Sequence, residues 1–171
     1  MAKQKSEKHE FLYNYARNGF DDELQRFRNI EDKASKLLSL LSIGIIAFTL
    51  LLRYQSAFLF PPNQIISYLA CITIALTYLA FITSWSFLYR SLAFIEMPRL
   101  PLDEKFIKDF EPKDLATIHF ALTKSCSNAL VFARAGNEIK SSLLIKGHKD
   151  IGIAMWFLTS SVVLIVLAKF Y

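Results

Sequence analysis

Three stretches of this chain, residues 37–52, 55–89 and 151–168, contain no charged residue, although the whole carries 20 Lys and Arg and 15 Asp and Glu. That segregation limits the fold more than any other feature. A bilayer core of ~30 Å needs about 20 helical residues, with a range of roughly 17–25. The third stretch fits directly. In the second, Pro61 and Pro62 mark a turn, so its helix is expected to begin near Asn63 or Ile65. The first is short, but Lys36 and Arg53 have stems long enough to carry their charges to the two interfaces. A buried helix of a soluble bundle would show a charged stripe, and none of the three does. The mean hydropathy of +0.31 agrees. The expectation is an all-α integral membrane protein with transmembrane helices at 37–53, 63–90 and 150–169. A cleaved signal peptide is not expected, because a charged stretch of 36 residues precedes the first apolar one.

Charge placement sets the expected orientation. Residues 1–36 hold eight Lys and Arg and residues 90–149 hold ten, against Arg53 alone after the first span and Lys169 alone after the third. The positive-inside rule puts residues 1–36 and 91–149 in the cytoplasm and the C-terminus outside. Acids alternate with the bases in both regions, so binding to a nucleic-acid duplex is not expected.

Within 1–36, the first ten residues read as disordered and Asn18 and Gly19 as a break. Asp21, Asp22 and Glu23 suit the first turn of a helix, where carboxylates meet the positive end of the dipole. One helix is expected from about Asp21 to Arg53. After the second span, Pro98 and Pro101 interrupt the chain, and Asp103 caps a short helix carrying Phe106, Ile107 and Phe110. Pro112 is expected in the first turn of the next helix. Its apolar residues, among them Leu115, Cys126, Val131, Ala135 and Ile139, recur at helical spacing. This makes the region between the second and third spans helical, and no segment reads as a strand pair.

The spans are apolar yet not uniformly so. Positions alternating four and three apart stay on one narrow helix face. Arg28, Asp32, Ser35, Ser39, Ser42, Ile46, Thr49 and Arg53 form such a series through the first span, and Ala70, Thr73, Thr77, Ala80, Ser84 and Ser91 form another in the second. Small and hydroxyl-bearing residues let membrane helices approach and hydrogen-bond. They also line water-filled paths between subunits. The second seam, with Thr73, Thr77, Ala80 and Ser84, reads as helix packing. In the first seam Asp32, Ser35, Ser39, Ser42, Thr49 and Arg53 are the candidate pore lining, with packing and interface snorkelling as the competing readings. Two polar seams are hard to bury in one three-helix monomer, which points to a homo-oligomer.

Groups for catalysis are not marked. There is no phosphate-cradling glycine loop, no glycine-flanked nucleophilic serine and no His or Cys cluster at metal-ligand spacing. Apart from Asp150 at the first position of the third, the spans contain no acid, which argues against a proton-driven transporter. Neither enzymatic activity nor a cofactor is expected.

The stretch "EDKASKLLSLLSIGIIAF" at 31–48, a second span close behind it, and "LTKSCSNALVFARAGNEIKSSLLIKGHKDIGIAMWFL" running into the last span carry a family resemblance. The arrangement resembles the small transmembrane effectors of bacterial anti-phage systems, closest to the Pycsar-type effector domain, with the SLATT effectors second. The resemblance implies a multi-pass protein of the bacterial inner membrane. A cyclic nucleotide or oligonucleotide messenger from a partner synthase would bind it in the cytoplasm, and the oligomer would then permeabilise the membrane and arrest the infected cell. For such an anionic ligand, Lys124, Arg134 and Lys140 are the candidate contacts. The alternative function is a small membrane scaffold or adaptor that recruits a cytoplasmic partner through residues 103–147.

Overall fold

A computed structural model describes residues 2–59, 65–93 and 104–170, and every element in them is a helix. They are α1 (Ala2–Leu59), α2 (Ile65–Leu92), α3 (Glu104–Phe110) and α4 (Leu115–Phe170). The turn expected at Pro61 and Pro62, the interruption at Pro98 and Pro101 and the cap at Asp103 lie outside the described residues. Three of the helices, α1, α2 and α4, are long and apolar enough to cross a membrane.

Helix α1 runs from Ala2 without the break expected at Asn18 and Gly19. A mid-helix glycine costs only about 1 kcal/mol. Neighbouring contacts offset it: Tyr13 stacks on His119, His9 meets the Phe120 ring edge-on, and Phe20 is buried in a cluster with Ala129 and Ala133. Helix α4 starts at Leu115 rather than in the turn holding Pro112. Asp114 is its N-cap: the Thr117 hydroxyl donates to the Asp114 carboxylate at 2.5 Å, and the Thr117 and Ile118 amides donate to its carbonyl.

The chain forms two compact units, residues 1–30 with 94–139 and residues 31–93 with 140–171. In the first, contact partners rise in number together, from His9 with Phe120 to Glu23 with Arg134, so α1 and α4 run parallel there. The buried positions of α4 in this unit include Cys126, Ala129 and Ala133. The larger residues Val131, Phe132 and Ile139 are 64%, 70% and 57% exposed. Of the apolar residues at helical spacing, Cys126 is buried while Val131 and Ile139 lie outside; the small residues Ala129 and Ala133 are buried beside it, which permits a close approach of the two backbones.

The second unit is a three-helix bundle in which α2 runs antiparallel to α1 and α4. Thr49 pairs with Tyr78, Thr77 with Ser161, and Ser91 with Lys140. Its buried positions repeat every seven residues: Ala34, Leu41 and Phe48 on α1; Ala70, Thr77, Ser84 and Ser91 on α2; Lys140, Gly147, Ala154 and Ser161 on α4. A 3.5-residue period keeps one seam facing its partners as in a left-handed coiled coil. Most of these residues are small. At Gly147 an added Cβ would meet Leu88 side-chain carbons at 3.0 Å, so no larger side chain fits between α2 and α4 without a shift.

Candidate functional site

The polar series of α1 sits one position along from Ala34, Leu41 and Phe48, and that offset turns it outward. Asp32, Ser35, Ser39, Thr49 and Arg53 are exposed and Ser42 is half-buried. Ser42 donates to the Leu38 carbonyl at 2.9 Å and Thr49 to the Ile45 carbonyl at 2.8 Å. This back-bonding directs each hydroxyl proton to its own helix and leaves oxygen lone pairs for other donors or cations. Thr49 Oγ1 also lies 2.8 Å from the Tyr78 hydroxyl, which ties the C-terminal part of the stripe to α2. Ile46, 61% exposed, interrupts the hydroxyls with a branched apolar side chain.

The polar series of α2 faces inward. Thr77 and Ser84 are fully buried, and Thr73 and Ala80 are half-buried. Thr77 Oγ1 lies 2.8 Å from the Thr73 carbonyl and 3.2 Å from Ser161 Oγ, which lies 2.8 Å from the Phe157 carbonyl, so one of the two hydroxyls can turn its proton from its own helix to the other hydroxyl. Hydroxyls thus join α2 to α4 where the two helices approach closely. Ser161 itself is not apparent from an apolar-periodicity reading of α4; the signal is its seven-residue spacing from Ala154 and Gly147.

The three basic candidates of α4 have different surroundings. Lys140, in the second unit, is 1% exposed at its side chain and bonds Glu31 at 2.5 Å, while the Ser91 hydroxyl donates to its carbonyl. Arg134, in the first unit, lies 3.3 Å from Glu23, and Lys124 is exposed. Glu23 is the centre of a polar cluster that the sequence did not mark. Asn137, fully buried, donates to both its backbone carbonyl and its carboxylate at 2.8 Å, and Arg26 approaches to 3.7 Å. A buried Asn in an apolar seam fixes helix register, because any slip leaves its amide nitrogen without acceptors. In the same unit, burial pushes the Cys126 thiol above its ordinary range; Arg17 opposes the shift and Asp21 adds to it. Among the described residues, no group of three His, Cys, Asp or Glu is placed to hold a metal ion.

Comparison with protein-family models, curated proteins and solved structures finds no match to this chain.

Proposed function

We propose that this chain is a multi-pass membrane protein whose copies associate through α1 and permeabilise the bilayer. The observation that carries the reading is the outward placement of Asp32, Ser35, Ser39, Thr49 and Arg53 on a helix apolar enough to span a membrane. Hydroxyls facing acyl chains gain nothing, whereas against a neighbouring α1 or a water column they are solvated. The buried hydroxyls of α2, on Thr77 and Ser84, offer no such stripe, since they lie inside the monomer. Charge asymmetry supports a cytoplasmic N-terminus and an external C-terminus. The resemblance of residues 31–48 supports the biological setting: an anti-phage effector of the bacterial inner membrane, triggered by a nucleotide messenger. Dye-loaded vesicles test the reading. Purified protein should release a small dye, and Ser39→Leu together with Ser42→Leu should reduce release at equal insertion; silence of inserted wild-type protein under messenger would refute it.

One observation favours the scaffold reading as second. Val131 and Phe132 present a bulky apolar surface outside the spans, suited to a protein partner. If Val131→Ser with Phe132→Ser abolishes recruitment of a soluble partner while leaving vesicle leakage unchanged, residues 103–147 serve as an adaptor.

A further inference from the structure

The second unit carries a groove of about 420 Å³ between α1 and α4, floored by Phe81 of α2. Its lining is almost wholly apolar, with Leu40, Ile43 and Gly44 on one wall and Met155 on the other. Gly44 makes part of the room: a Cβ built there meets nothing within 4 Å. From Leu37 to Leu51 the α1 wall is about 21 Å long at 1.5 Å per residue. One leaflet of a bilayer core is about 15 Å thick, so the groove is long enough for a complete lipid tail.

By helical spacing, basic residues continue the groove's walls toward one end. Lys33 precedes Leu40 by seven residues, Lys36 precedes Ile43 by seven, and His148 precedes Met155 by seven, so each continues a stripe that lines the groove. All three are exposed. The nearby acids do not share those stripes: Asp32 leads to Ser39 and Asp150 to Phe157, neither of which lines the groove, and Glu31 bonds Lys140. An apolar slot with cations at one end matches a molecule with one fatty tail region and an anionic head.

We propose that this groove binds an anionic phospholipid, its acyl chain along α1 and its phosphate at Lys33, Lys36 and His148. The inference rests on the membrane reading above and adds a lipid-specific site to it. Binding at this site occupies the α1 wall beside the hydroxyl stripe, so the lipid composition would influence how copies pack.

The test reconstitutes the protein in vesicles of equal phosphatidylcholine and phosphatidylglycerol, extracts it mildly and counts retained lipids by native mass spectrometry. Wild type is expected to keep phosphatidylglycerol in preference, on the order of five-fold per engaged cation. Lys33→Gln with Lys36→Gln should bring the two lipids near parity. Gly44→Trp, placed where there is open space, should remove retained lipid of both kinds while the helical signal is unchanged. Equal retention by wild type, or full retention by Gly44→Trp, overturns the proposal. So does a dimer peak that Gly44→Trp abolishes, which would make the occupant a second copy. Alkaline extraction of cell membranes separates the two readings: a soluble chain overturns both, whereas a membrane-retained chain with no lipid preference overturns only the lipid site.

Discussion

Among the described residues, Lys140 is the largest fully buried side chain, and its ammonium is matched by Glu31. Removing one partner leaves the other charge poorly compensated, whereas replacing both leaves an apolar layer. Glu31→Gln is therefore expected to destabilise by about 1–3 kcal/mol, and Lys140→Met added to it to restore part of that, read from thermal unfolding in detergent. Additive losses would mean the two residues act independently. The glycines separate in the same assay. Gly147→Ala should cost about 1–3 kcal/mol because Leu88 must move, while Gly44→Ala should be neutral or stabilising by about 0.5–1 kcal/mol. Cys126 gives a pH prediction. Burial holds its thiol neutral, so alkylation should stay slow through neutral pH and accelerate only above the ordinary thiol range. Asp21→Asn should move that acceleration to lower pH and Arg17→Gln to higher pH. With a thiol pKa raised in the folded state, its stabilising contribution is full below the ordinary thiol pKa and fades as pH rises through the folded value. Alkylation of Cys126 at pH 7 as fast as a free thiol would contradict this placement.

At the scale of the helices, the presence of three helices long and apolar enough to cross a membrane was legible because charge-free length is a one-dimensional property. The polar series on α1 and α2 were legible as well, since the helical period alone generates them. Which of them faces inward was not, because that depends on a partner surface the sequence does not display. Ser35 follows Ala34 by one residue, and that single step separates the core from the outside. The face of α4 in the first unit misleads for a related reason. Periodicity weights Val131 and Ile139 by their size, yet close packing selects Ala129 and Ala133. Glu31 and Glu23, and their pairing with Lys140 and Arg134 over more than a hundred residues of sequence, leave no local trace. Single cysteines along α1, in a background without Cys71 and Cys126, test the assignment. Ser35 and Ser39 should react with a membrane-impermeant thiol reagent in the conducting state, and Ala34 and Leu41 should not. Equal protection at all four positions would return the α1 stripe to helix packing.

For the whole molecule, α2 carries its polar series inside the monomer and α1 carries its own on the outside. In the proposed reading the α1 series is left for assembly, while the α2 series helps hold the monomer together. Thr77→Leu should thus lower monomer stability, since it inserts bulk beside Ser161, whereas Ser39→Leu should spare stability and alter association. The most direct measurement is current across a planar bilayer holding the purified protein, with the candidate messenger on the basic side and a salt gradient across it. The account predicts a conductance whose reversal potential shifts when Asp32→Lys reverses the charge at one mouth of the α1 stripe. Inserted protein that stays silent under messenger, or conducts with a reversal potential indifferent to Asp32→Lys, would contradict it.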